Sequence, residues 1–232
     1  MDIIICVCLC FLTILLLKII FKIRFKEAKQ LENNKDMNYI TNKFPQNIDI
    51  AKEMLEMLDN NTVKIEEQKN TKTSLYIAIT NKILIADLKE HYARIQTIAH
   101  ECLHSVQDRR LQLFNFIFSN ITLLYFIIGI VLTLCKIYTN YLLQLFILLL
   151  LFFIQFTVRS FLEIDAKTKS KYLAKTYIER KNLCSTEEID KLIIMYDKIN
   201  KMGISYIIYK LLSNALIKII VFCAAVVITK IL

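Results

Sequence analysis

His100-Glu101-Cys102-Leu103-His104 brackets one carboxylate with two of the chain's three histidines. On a helix, residues four apart share a face. His100 and His104 can then offer two imidazole nitrogens to one metal ion. Glu101, about 100° round, points beside the ion, where a bound water would sit. Zinc lowers the pKa of such a water toward about 7, and a neighbouring carboxylate can take its proton.

A catalytic zinc takes three protein ligands and keeps one open position. The third histidine, His91, lies nine residues before His100, about 180° round the same helix, and reads as a surface or packing residue. Glu163, in Ser160-Phe-Leu-Glu-Ile-Asp-Ala166, is the better candidate. Between the motif and Glu163 lie two apolar blocks joined by a short loop, which makes them antiparallel neighbours. His100, His104 and Glu163 are thereby brought to one face of a membrane. Asp165 is placed to accept an N–H from a ligand histidine, as groups behind metal ligands commonly do.

The elements that must position these residues follow from composition. Of 232 residues, 56% are apolar, against two glycines, one proline and no tryptophan. Ordinary domains are about 45–50% apolar. The excess sits in four blocks, residues 3–21, 111–135, 138–158 and 206–229, each near the roughly 20 residues that cross a bilayer. An ordinary soluble enzyme, a disordered chain and a collagen-like chain are excluded. Lys18 lies close enough to an end of its block to snorkel. Lys210 and Lys218 make the last block the weakest span, since lysines that deep must face a bundle or polar cavity.

The first block has no basic segment before it and is followed by Lys22, Arg24 and Lys26, the pattern of an uncleaved anchor with its N-terminus outside. Residues 22–110 hold 15 basic side chains and residues 159–203 hold 10, out of 30 in all. The positive-inside rule therefore predicts four spans in the cell membrane, both termini outside and the motif facing the cytoplasm. The net charge of +9 is spread through mixed-sign segments with 21 acidic residues, so nucleic acid is not an expected partner; the lipid bilayer is. The seven cysteines form no C-x-x-C and read as small buried hydrophobes in a reducing compartment.

Between the spans, residues 22–44 read as a helical extension and then a loop. Residues 47–58 carry apolar side chains at 48, 51, 54, 55 and 58, which predicts a helix with one buried face. Val63-Lys-Ile65 opens an alternating run. Ser74–Ile79 and Ile83–Ile85 around Thr80-Asn-Lys82 predict a hairpin. Asp87 is the expected cap of a helix running through the motif to about 108.

The chain resembles the YugP-type family of neutral zinc metallopeptidases, membrane-bound relatives of the HtpX and CAAX-processing gluzincins. That family shows H-E-x-G-H-x-x-Q before a transmembrane pair and E-x-D-A after it. Here stand His100-Glu101-Cys102-Leu103-His104-Ser-Val-Gln107 and Glu163-Ile-Asp165-Ala166. Ile50–Leu55, Val63–Ile65 and Ser185–Leu192 resemble the family's amphipathic helix, strand and capped helix. Leu103 departs from the pattern, standing where the family usually has glycine.

The resemblance implies a mainly α, integral membrane protein of about four spans, with a cytosolic zincin-like part bearing a small β-hairpin or sheet. It divides the chain into an anchor, 1–22, a metallopeptidase domain, 45–203, interrupted by the transmembrane hairpin 111–158, and a last span, 204–232. It implies one Zn²⁺ per chain on His100, His104 and Glu163, with Glu101 as general base in hydrolysis of a peptide or membrane-protein substrate. Tyr76, Tyr172 and Tyr177 are candidates for a second oxyanion donor. The run Ser74, Leu75, Tyr76, Ile77, Ala78 and Ile79 either binds extended substrate at a sheet edge or is a plain structural hairpin. The competing readings are an inactive metal-binding scaffold, favoured by Leu103, and a transport component suggested by Lys210 and Lys218.

Overall fold

A computed structural model describes residues 2–24, 35–68, 71, 73–87, 91–138 and 140–231. It is mainly helical, with a three-stranded sheet and four helices long and apolar enough to cross a membrane. Among the described residues the helices are α1 (Asp2–Ile20), α2 (Lys35–Thr41), α3 (Asn47–Met57), α4 (Arg94–Val106), α5 (Arg109–Leu134), α6 (Tyr141–Lys181) and α7 (Thr186–Ile231). The strands are β1 (Lys64–Gln68), β2 (Leu75–Ile77) and β3 (Lys82–Ala86).

The chain divides into two compact units, one of residues 1–23, 114–161 and 205–232, the other of 24–113 and 162–204. The first contains the four apolar segments. Its interior gathers Cys10, Leu148, Phe152, Ile219, Phe222, Cys223 and Val226, while Leu142, Phe146, Phe153 and many like them face outward. That reversal suits a hydrocarbon surround, where apolar surface carries no cost. Some of the polar groups inside pair with one another: Thr229 Oγ1 donates to Thr133 O at 3.1 Å, and Tyr125 hydrogen-bonds Gln144. Lys218 packs its ammonium over Phe152 and Phe126, 5.3 and 6.0 Å from the ring centroids, a cation–π arrangement. Lys210 is exposed.

The second unit holds a separate core in which Ile50, Met54, Ile83, Ile85, Ile95, Ile98 and Tyr196 are fully buried. β3 lies in the middle of the sheet, parallel to β1 (Ile65↔Ile83) and antiparallel to β2 (Tyr76↔Ile83), leaving β2 on an edge. The predicted hairpin is therefore present. In α3 the buried face is Asn47, Ile50, Ala51, Met54 and Leu55, displaced from the predicted one: Ile50 replaces Ile48 and Leu58, which are only half-buried. The expected loop within 22–44 contains α2, whose Met37 and Ile40 enter the core; residues 25–34 lie outside the described set.

The motif helix starts later than predicted. Asp87 does not cap it; its N–H donates to Thr71 O at 3.3 Å, and α4 begins at Arg94. His91 accordingly precedes the helix rather than lying on its far face. It stacks on Tyr92, and its Nδ1 accepts the Ala93 N–H at 3.1 Å. Arg94 sets this start. Its guanidinium donates to Pro45 O and Asn47 Oδ1 at 2.9 and 3.0 Å, and to Thr41 O and Phe44 O at 2.8 and 2.9 Å. One buried side chain thus occupies the carbonyls that end α2 and the polar head of α3, groups that would otherwise be orphaned.

α4 stops at Val106, short of the predicted 108. Asp108 Oδ1 accepts the Arg110 N–H at 2.7 Å and so caps α5. Downstream, Ser185 and Glu188 exchange backbone N–H bonds at 2.9 and 3.3 Å. This capping box opens α7.

Candidate metal centre

α4 presents His100 and His104 one turn apart on one face, with their Nε2 atoms 3.1 Å from each other. Glu163, two residues inside the second unit on α6, brings Oε2 to 3.5 Å from His100 Nε2 and 3.8 Å from His104 Nε2. These three side chains form a group that could hold a metal ion, the sole such group among the described residues. The point equidistant from three atoms at those separations lies about 2 Å from each, the length of zinc–nitrogen and zinc–oxygen bonds. All three side chains are mostly buried, which dries the site without closing it. The two imidazoles and the carboxylate that sequence spacing and chain topology predict are therefore together.

Burial presses both imidazoles toward the neutral form that ligates metal. At His100 it prevails and the pKa falls, despite the bond to Glu163. At His104 the carboxylates of Glu163 and Glu101 outweigh it and the pKa rises. The two differ again at Nδ1. That of His100 is buried and unpartnered among the described residues, whereas that of His104 lies 2.8 Å from Gln107 Oε1. An amide oxygen can only accept, so a proton of His104 sits on Nδ1, and Nε2 is the nitrogen turned toward His100 and Glu163.

Gln107 is fixed in turn by donating from Nε2 to Leu162 O at 2.8 Å and Asp165 Oδ2 at 2.9 Å. Asp165 therefore acts one step further out than the sequence suggested: it holds the glutamine that holds the histidine. Burial alone would raise the Asp165 pKa, but the bonds from Gln107 and Lys169 lower it. Gln112 closes the back of the site with a hydrogen bond to His104 O.

Glu101 is buried, and its Oε2 accepts the backbone N–H of Tyr76 at 2.7 Å. The outer edge of β2 thus faces the base candidate. Of the six residues predicted along this edge, only Leu75, Tyr76 and Ile77 form the strand. Ser74 Oγ accepts the Ala86 N–H at 3.0 Å and ties the hairpin together. Ala78 and Ile79 lie in the turn.

The three candidate tyrosines are occupied elsewhere. Tyr76 Oη donates to Asn81 Oδ1 at 2.9 Å. Tyr177 is fully buried in the core, and Tyr172 is exposed beneath Lys171. Leu103 is buried and leaves the ligand atoms in contact range. Cys102, beside Glu101, is fully buried with its thiol held well above its ordinary pKa by burial, which removes it as a nucleophile.

Sequence reasoning quoted Gln107 without giving it a role and missed Lys167. The available signal for Lys167 was its place one helical turn after Glu163. Burial lowers its pKa, while Glu163 and Glu101 pull it back. No protein-family model, characterised protein or solved structure matches this chain.

Proposed function

We propose that this chain is a membrane-embedded zinc-dependent endopeptidase of the YugP-like type, with His100, His104 and Glu163 holding the ion and Glu101 serving as general base. The observation that carries the reading is the juxtaposition of a ligand triangle of zinc dimensions with a buried carboxylate held by the edge of a sheet. A bound zinc would supply Lewis acidity, lowering the pKa of a water toward about 7 and polarising a carbonyl.

The protein groups do the rest. Glu101 takes the proton of the attacking water and returns it to the leaving amine. Its bond to the Tyr76 N–H keeps the carboxylate beside the ligands, while Gln107 keeps His104 in the ligating tautomer. The edge strand β2, whose Tyr76 N–H is held by Glu101, offers its remaining outward backbone groups to an extended peptide by strand addition. The basic residues gathered in 22–110 and 159–203 support a site on the cytoplasmic side of the cell membrane. Accessible segments of membrane proteins or peptides are then the natural substrates.

The test compares native protein with Glu101→Gln, which retains an acceptor for the Tyr76 N–H. Both variants should carry about one zinc per chain, and only the native protein should cleave a quenched-fluorophore peptide library. Zinc in both with cleavage in neither would make the protein a metal-binding scaffold. Equal cleavage by both would remove Glu101 from the chemistry.

A further inference from the structure

Lys167 stands on α6 one turn beyond Glu163, on the same face. Its stem runs against the bare backbone of Gly203 on α7, where a Cβ would lie 3.1 Å from Lys167 Cε and 3.2 Å from Nζ. Gly203 is one of two glycines in the chain. It sits inside a 46-residue helix, a position where glycine costs about 1 kcal/mol relative to alanine. The bare backbone leaves room for the lysine.

The lysine's own backbone is also fixed. Asn200 Nδ2 donates to Lys167 O at 2.8 Å, and Asn200 Oδ1 accepts from Gln96 Nε2 at 2.7 Å. Gln96 lies one turn before His100 on α4. The backbone of Lys167 is therefore tied through α7 to α4, the helix that carries both ligand histidines. Among the described residues its ammonium makes no ion pair and no hydrogen bond, although it has three donors. The charges of Glu163 and Glu101 both reach it, and its own charge reaches His100. A positive group so placed lacks a direct anionic partner.

We infer that Lys167 supplies the positive charge that meets the substrate's carbonyl oxygen as it becomes an oxyanion. This rests on the peptidase reading above. Attack of water forms the new C–O bond and moves the carbonyl π pair onto oxygen. Lys167 donates an N–H to that oxygen and keeps its proton. Collapse restores the carbonyl and expels the amine, which takes the proton that Glu101 removed from water. An ammonium one turn beyond Glu163 on the same face of α6 stands beside the ligand group, where the carbonyl of a bound peptide would lie. The carboxylate of a substrate's C-terminus would lie at least one residue, about 3.5 Å, further along.

The experiment uses full-length protein in detergent, comparing native, Lys167→Met and Gly203→Ala. For a peptide blocked at both ends, Lys167→Met should lower kcat by about 10²–10³, the cost of removing one oxyanion donor, with KM within a few-fold of native. Zinc titrated into the metal-free protein should bind at least as tightly, and roughly several-fold tighter, because an ammonium no longer opposes the dication. Gly203→Ala should be no less stable than native, yet lower kcat by displacing the ammonium.

Native kcat in Lys167→Met overturns the inference. So does weaker zinc binding, which would make the lysine structural. A loss confined to KM and to peptides with a free carboxyl terminus overturns it in favour of a terminal-carboxylate pocket. If Lys167→Met does not fold, unchanged kcat in Gly203→Ala is the refuting result. An inactive native protein defeats the peptidase reading itself, whereas an active native protein matched by both variants defeats only the role of Lys167.

Discussion

Replacing Gln107 by leucine isolates the step that prepares His104 for metal. The substitution removes the amide head and with it three short hydrogen bonds, the acceptor for His104 Nδ1 and the two donors to Leu162 O and Asp165, besides a long one from Gln112 Nε2 at 3.5 Å. At about 1 kcal/mol net each, the metal-free fold should lose at most about 3 kcal/mol. Asp165 retains Lys169 as a partner, so the real loss should be smaller. The effect on metal has another origin. With no acceptor at Nδ1, the imidazole can rotate or place its proton on Nε2. Removal of a group that orients a ligand histidine weakens metal binding about 10–100-fold, or roughly 1.4–2.7 kcal/mol. Gln107→Glu separates the two effects. It retains an oxygen for His104 but sets a carboxylate against Asp165, so the fold should weaken while metal affinity is largely kept. Zinc affinity by competition with a chromogenic chelator, together with melting temperature, reads both quantities. If Gln107→Leu binds zinc within threefold of native, the glutamine does not set the tautomer.

Two other predictions concern the frame around the site. Arg94→Met should destabilise the second unit by at least about 3 kcal/mol, since four buried acceptors lose a charged donor; a urea midpoint shift of less than 0.3 M would contradict this. Asp197 is bound by Lys171 and Lys201, both at 2.8 Å, which lower its pKa from 3.8 to about 2. Because the folded value lies below the unfolded one, its contribution is complete above pH 3.8 and disappears as pH falls through 2. Melting curves of native and Asp197→Asn should differ at pH 6 and converge near pH 2; a constant difference would assign the effect to something other than ionisation.

The site was legible where chemistry is written in short spacing or forced by topology. Two histidines four apart on a helix face each other whatever surrounds them, and two apolar crossings joined by a short loop return Glu163 to the starting side. Features that depend on distant partners were not legible. The parallel pairing of β1 with β3 joins Lys64 to Lys82 and skips β2, the strand between them in sequence, and alternation within β1 does not name its neighbour. The start of α4 was misread because Asp87 is a good capping type, whereas the boundary follows from Arg94 reaching back about fifty residues to the end of α2. Gln107 is ordinary in sequence; its role comes from standing between His104 and a carbonyl of α6. The burial shift in α3 has the same cause, since Ile50 is drawn inward by a core contributed by other elements.

Because the amide of Gln107 grips α6 at Leu162, next to Glu163 itself, the second imidazole and the acidic ligand are not independent parts. An emerging polypeptide whose later helix has yet to dock has neither the carboxylate nor the brace that sets the ring, only two loosely held rings with feeble attraction for ions. Any ion held by all three side chains would be gripped only once both had arrived.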